Sequence, residues 1–265
     1  MERGDICEFY RDLFDLEDKV AVVVGGTGVL CGMMARGLWQ AGCKAVLVGR
    51  NRQKAEAHFQ NWRCPPEDAW FQEADVRQRR EVEAIIPAVL ERFGRIDIWI
   101  NGAAMGPPNN YIDIPDEQYD EVLELNLKAV HTGCQVIGRH WIDTKKQGCI
   151  INMSSMSALR PLSRNFLYSM SKAALLNLTQ NLAREWAEFG IRVNALCPGF
   201  LPAEQNRAIL DKERVKNILW HTPMGRFGEP EELIGATLLL ASEKAGRFIT
   251  GCNLVVDGGF SVKSI

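Results

Sequence analysis

No Cys-x-x-Cys pair occurs in the 265 residues; the eight cysteines stand singly at positions 7, 31, 43, 64, 134, 149, 197 and 252. That spacing excludes a zinc ribbon and a disulfide framework, so no metal site is expected and the thiols fit a reduced, cytoplasmic setting. No apolar run approaches the roughly 18 to 20 residues that a bilayer span requires, which excludes a membrane-spanning protein. Neither charge dominates: 31 Lys and Arg stand against 33 Asp and Glu, for a formal charge of −2. With no basic run, nucleic acid and acidic membrane surfaces are not expected partners. The segment from Met1 to Asp18 has neither the apolar core of a signal peptide nor the Arg-rich, acid-poor face of a transit peptide. Repeats, low-complexity tracts and linkers are also missing, so residues 1–265 are read as one domain with a small-molecule ligand.

Short β-branched runs alternate with longer helical stretches. The runs are Val20–Val24, Ala45–Val48, Ile96–Ile100, Cys149–Met153, Arg192–Cys197 and Asn253–Val256. This order predicts an α/β, doubly wound Rossmann fold: a seven-stranded, mostly parallel sheet with helices on both faces. Leu175, Leu178, Leu182, Trp186 and Phe189 recur at steps of three and four, one apolar stripe on a helix that Gly190 ends. Pro, Gly and Asn content predicts loops at 64–68, 106–110 and 198–206.

The run Ala21-Val22-Val23-Val24 stops at Gly25-Gly26-Thr27-Gly28, with Gly32 shortly after. A buried strand feeding a glycine-rich turn can present unpaired amides, those of Val29 and Leu30 included, to a pyrophosphate at a helix N-terminus. The second strand ends in Val48-Gly49-Arg50-Asn51-Arg52. An NAD enzyme offers an acid to the ribose hydroxyls there, whereas Arg50 suits a 2′-phosphate. NADP(H) is therefore the expected cofactor, with NAD(H) as the alternative. Asp75, at the expected end of a third strand, either accepts a bond from an adenine amino group or caps a helix.

Tyr168 and Lys172 stand at i and i+4, adjacent on one helical face. A cation there lowers the phenol pKa toward working pH and makes it a proton donor or acceptor. A random chain of this composition shows such a pair roughly one time in six. Ser155 adds weight, because it follows the strand Cys149–Met153, and parallel strands carry ligand groups at their carboxyl ends. Its hydroxyl can hold a carbonyl beside Tyr168. Asn126 interrupts a helical stretch; it either holds a water relaying protons from Lys172 or shapes the helix through a buried hydrogen bond.

Together these residues resemble the single-domain short-chain dehydrogenase/reductase family from Lys19-Val20 to Asp257-Gly258-Gly259. The match comprises the glycine turn, Asp75-Val76, Asn101-Gly102-Ala103, Asn126, Ser155, Tyr168-x-x-x-Lys172, Arg192-Val193-Asn194 and Pro198-Gly199, all in family order. The resemblance implies reversible hydride transfer between the nicotinamide C4 and a substrate carbon, with Tyr168 as general acid or base, Ser155 orienting substrate and Lys172 also binding the nicotinamide ribose. It adds Val76, Asn101, Gly102, Ala103, Pro198 and Gly199 to the cofactor site and implies a homotetramer pairing helices near Glu117–Arg139 and Asn165–Phe189. Val24, Val29, Cys31 and Ala203 depart from the family pattern, and Cys31 sets a side chain where the helix start needs close packing.

A narrower resemblance, in Pro198–Arg207 and His221–Pro230, is to the D-mannonate oxidoreductase/fructuronate reductase branch. It implies a keto-sugar acid, or another polar carbonyl or alcohol, bound under a loop at about 198–225. Glu204, Gln205, Asn206 and Arg207 suit hydroxyls and a carboxylate, with Arg207 or Arg164 as carboxylate partner. A 3-oxoacyl thioester reductase and a dinucleotide-binding sensor without turnover are the competing expectations.

Overall fold

The computed structural model describes residues 3–201 and 211–264. Seven strands form one sheet: β1 (Val20–Val24), β2 (Lys44–Gly49), β3 (Ala69–Glu73), β4 (Ile98–Asn101), β5 (Gly148–Met153), β6 (Ile191–Pro198) and β7 (Asn253–Val256). Their spatial order is β3-β2-β1-β4-β5-β6-β7 and every neighbouring pair is parallel. The chain winds outward from β1 in one direction, then crosses to β4 and winds outward in the other. That reversal opens a crevice at the carboxyl ends of β1 and β4, where open α/β sheets bind ligands.

The helices among the described residues are α1 (Arg3–Leu13), α2 (Val29–Gln40), α3 (Arg52–Trp62), α4 (Arg79–Phe93), α5 (Asp116–Leu123), α6 (Ala129–Asp143), α7 (Phe166–Trp186), α8 (Lys212–His221) and α9 (Glu232–Ala241). Strand alternation decides which helix each side chain meets. Val20, Val22 and Val24 point into a core with α4, α6 and α7 residues such as Ile85, Ile137 and Leu175. Ala21 and Val23 point to the other face, against Met34 and Leu38 of α2 and Leu233 and Leu240 of α9. Burial on both faces explains why β1 is apolar at every position. Each fully buried aliphatic side chain contributes roughly 1.5–3 kcal/mol.

The expected stripe lies on α7, where Leu175 is fully buried and Leu178, Leu182 and Trp186 pack against the core, but Phe189 is 43% exposed. A short 3-10 turn, Ala187–Phe189, follows α7 and rotates Phe189 off the stripe before Gly190 takes a left-handed φ of 72°. The helix α1 is tied back by the Ser242 hydroxyl donating to Leu13 O at 2.7 Å and by a Lys244–Asp12 ion pair. Between α5 and α6 the helix widens into a π turn at Glu124–Lys128.

Candidate active site

The glycine turn begins at Gly25, whose φ is +77°. A Cβ there would lie 2.7 Å from Ala103 N and 2.9 Å from the Gly102 carbonyl carbon, so only glycine lets the turn pass this close to the end of β4. Gly25 N–H donates to Val48 O at 2.9 Å, tying the turn to β2. Gly28 is the N-cap of α2 and brings no capping side chain. The first amides of α2 therefore face the cleft at the positive end of a 12-residue helix, as a pyrophosphate requires.

Cys31 is accommodated by its neighbour rather than by the turn. Its buried Sγ occupies the space that a Cβ on Gly102 would need, so the side chain gained on α2 is matched by the one missing after β4. Close helix packing passes to Gly32, where a Cβ would stand 2.8 Å from His58 Nε2 of α3. Burial pushes the Cys31 thiol up to about 12.

A cleft of about 880 Å³ runs from this turn across the carboxyl ends of the strands. Gly25, Thr27, Gly28, Val29 and Leu30 line one wall; Gly49, Arg50, Asp75 and Val76 line its β2–β3 end. Gly49 leaves room for Thr27, whose Oγ1 would be 3.0 Å from a Cβ at that position. Asn51 beside Arg50 caps α3, its Oδ1 accepting from Lys54 N at 2.9 Å.

Asp75 lines the β2–β3 end of the cleft, as expected of a cofactor-site residue. It does not cap α4, whose N-cap is Gln78. Its carboxylate is instead held by Arg77, through Nε to Oδ1 at 3.0 Å, Nε to Oδ2 at 3.1 Å and Nη2 to Oδ2 at 2.5 Å. The Arg77 guanidinium, with a smaller contribution from Arg50, holds the Asp75 carboxyl below the usual range.

Gly102, Ala103, Ser155, Tyr168, Lys172, Pro198 and Gly199 line the other end of the cleft. Lys172 is buried and its Nζ donates to Met153 O at 2.7 Å while lying 5.4 Å from the Tyr168 ring centroid. Burial pulls its pKa down to about 8. Burial raises the Tyr168 pKa, and the hydrogen bond that opposes the rise comes from Ser155. The Lys172 ammonium is itself desolvated and donates to a main-chain carbonyl. Ser155 Oγ also accepts from Ser157 N at 3.1 Å, and the neighbouring Ser154 is turned the other way, donating to Lys172 O at 2.9 Å.

Two predicted site residues lie behind the cleft rather than in it. The Asn101 side chain belongs to the core: its Oδ1 accepts from Trp99 Nε1 at 2.7 Å and its Nδ2 donates to Asn152 Oδ1 at 2.9 Å. Asn126, fully buried in the π turn, grips the backbone of Met105, accepting from its N at 2.8 Å and donating to its O at 2.8 Å. Its second amide hydrogen goes to Ser171 Oγ at 3.1 Å. Both side-chain amide hydrogens are thus committed within the protein. The loop it grips packs on the catalytic phenol, since a Cβ at Gly106 would touch the Tyr168 ring at 3.0 Å.

Arg164 is exposed, with a left-handed φ of 60°, and is not among the residues lining the cleft. Glu204, Gln205, Asn206 and Arg207 lie outside the described residues. Sequence reasoning missed Met105, Glu121, Leu125, Leu201 and Arg77 as lining residues. Only Arg77 carried a signal, a charge two positions after an acid at a strand end.

A glycine turn opening a helix, facing a tyrosine–lysine–serine cluster across one cleft, defines an oxidoreductase built to use a nicotinamide dinucleotide. Residues 30–261 match a family model described as enoyl-(acyl carrier protein) reductase, and the chain belongs to the short-chain dehydrogenase/reductase family. An uncharacterized oxidoreductase of Bacillus subtilis, UxuB, is 36% identical, the match covering 94% of this chain and 97% of that one. The 2-dehydro-3-deoxy-D-gluconate 5-dehydrogenase of Escherichia coli is 33% identical over 93% of this chain and 97% of its own. A gluconate 5-dehydrogenase of Burkholderia cenocepacia, solved with NADP and tartrate, has a TM-score of 0.90 at 31% identity and covers 96% of this chain and 100% of its own. The narrower mannonate/fructuronate expectation is corrected by these relatives: those named by activity act in the gluconate series.

Proposed function

We propose that the protein is an NADP(H)-preferring reductase of a keto group on a sugar acid of the gluconate type, the reverse alcohol oxidation using the same groups. One observation carries the reading: Ser155, Tyr168 and Lys172 meet at one end of a cleft whose other end presents Arg50 where an acid would select NAD(H). The relatives that act on gluconate derivatives support the substrate class.

A bound nicotinamide would supply or accept the hydride. The chain's own residues hold and move the proton. The Ser155 hydroxyl, bonded to Tyr168 Oη, positions the substrate oxygen at the phenol. Tyr168, kept neutral by burial, gives its proton to that oxygen during reduction and takes it back during oxidation. Lys172 keeps a labile proton beside the phenol, its pKa of about 8 allowing exchange near neutral pH. Asn126 fixes the Met105–Gly106 loop over the Tyr168 ring and so keeps the phenol in place.

A cofactor-linked absorbance screen with NADPH and NADH against keto-sugar acids, ketoses and acetoacetyl thioesters tests this reading. Turnover of keto-gluconates with NADPH is expected, and Tyr168→Phe should reduce it by at least a hundredfold. Undiminished turnover in that variant refutes the mechanism, and turnover of thioesters alone refutes the substrate class. Arg50→Ala should weaken NADPH far more than NADH. We also propose that the chain is a homo-oligomer joined through α5, α6 and α7, where Tyr119, Phe166 and Met170 are 42–45% exposed. A monomer by gel filtration removes that proposal.

A further inference from the structure

We propose that His58 is a positioning residue for the glycine turn: from α3 it clamps the carbonyl of Thr27 and so keeps the first amides of α2 aimed into the cleft. This rests on the nucleotide reading of the cleft and adds to it a residue, outside the turn itself, that sets cofactor affinity.

Three of the four residues from Gly25 to Gly28 are glycine, so the turn has little in its own side chains to fix its backbone. Gly28 caps α2 at φ −83° and ψ 163° and brings no side chain to accept from the helix amides. The order comes from α3. His58 Nε2 donates to Thr27 O at 3.3 Å. A carbonyl oxygen only accepts, so the bond places the ring hydrogen on Nε2. Burial pulls the His58 pKa below its ordinary value, which leaves the ring neutral near pH 7 with this N–H as its one donor. The other end of the same planar peptide unit is the Gly28 amide, which donates to Gly25 O at 2.9 Å. The Thr27–Gly28 plane is therefore pinned at both ends. The first bond of α2, from Gly32 N to Gly28 O at 2.8 Å, continues from that plane.

The imidazole is itself held in place. It stacks on Trp62 at a centroid distance of 5.4 Å and an interplanar angle of 29°. It reaches the turn because Gly32 leaves the way open, a Cβ there standing 2.8 Å from Nε2 and 2.9 Å from Cε1. His58 is not among the residues lining the cleft, so its influence on a nucleotide passes through the turn. A turn already held in its binding geometry loses less freedom when the pyrophosphate arrives. NADPH and NADH share that pyrophosphate, so the clamp should serve both alike, whereas Arg50 distinguishes them.

The test measures dissociation constants for NADPH and NADH, by energy transfer from protein tryptophan to reduced nicotinamide, in His58→Leu and His58→Gln. Leucine fills the space without an N–H; glutamine restores one. His58→Leu should weaken both nucleotides about fivefold, the worth of one neutral hydrogen bond, and His58→Gln should return both to within twofold of the wild type. Amide hydrogen exchange of the free proteins over residues 25–32 should be faster in His58→Leu and near the wild-type rate in His58→Gln, a readout independent of turnover. Binding by His58→Leu within twofold of the wild type overturns the proposal. So does a His58→Gln variant as weak as His58→Leu, which would assign the effect to packing, and so does a loss confined to NADPH. Failure of the wild type to bind either nucleotide overturns the nucleotide reading itself, a result distinct from these.

Discussion

Replacing Gly102 by alanine tests whether the unusual cysteine at the start of α2 is accommodated as described. The new methyl group would overlap Cys31 Sγ and would also stand 3.1 Å from Val24 O and 3.3 Å from Met153 Cγ. The last two contacts need shifts of only a few tenths of an ångström. The sulfur has to move outright, yet it is 5% exposed on the first turn of a helix packed on both sides. Overpacking of this kind costs about 2–3 kcal/mol. Cys31→Ala alone loses one buried sulfur and should cost about 1 kcal/mol. In the double variant the overlap disappears, so its cost should fall about 2 kcal/mol short of the sum of the singles. Urea unfolding of the four proteins measures the coupling from the midpoints, and NADPH titration should show the same rescue, because Cys31 and Gly102 both line the cleft. Additive costs would mean that Cys31 and Gly102 do not share space and would refute the account.

Lys172 gives a pH signature. Its folded pKa of about 8 lies below the ordinary lysine value of 10.5, so between these values the unfolded chain binds the extra proton and stability rises with pH. Relative to Lys172→Met, the wild-type urea stability should improve by about 2 kcal/mol from pH 7 to 9.5; a constant difference contradicts the burial argument. Asn101→Ala should lower stability by about 1–3 kcal/mol, because it leaves Trp99 Nε1 without its acceptor and removes one donor to Asn152 Oδ1, while NADPH affinity stays within twofold. A large loss of affinity at unchanged stability would return Asn101 to the cofactor site.

Strands buried on both faces announce themselves through apolar runs, and β1, β2, β4, β5 and β6 were legible for that reason, while the partly buried edge strand β7 showed itself only through Leu254-Val255-Val256. The edge strand β3 reads Ala-Trp-Phe-Gln-Glu, with Trp70 and Gln72 only partly buried, so it carries no such run. The first helix went unread although Ile6, Phe9, Tyr10 and Leu13 recur in it at helical spacing. Ser155, Tyr168 and Lys172 were legible because their relation is local, one helical turn for the pair and one strand end for the serine. What escaped was non-local. Nothing in the order of residues says that Asn126 grips Met105, that Gly102 makes room for Cys31, or that Arg77 takes the carboxylate of Asp75. Asn101 misled because a strand-end asparagine faces the cleft or the core depending on a half-turn of pleat, and here Trp99 and Asn152 hold it inward.

The proton chemistry shows why the local pair was not enough. Spacing alone suggests that Lys172 lowers the pKa of Tyr168, but the structure moves the two groups toward neutrality together: the phenol up and the ammonium down to about 8. Both shifts have one cause, the removal of water from the end of the cleft, which penalises phenolate and ammonium alike. A site of this kind favours giving a proton over taking one, because the neutral phenol is its resting form. Ser155 is the group that counters this bias, since its bond to Tyr168 is what lowers the phenol pKa in the structure.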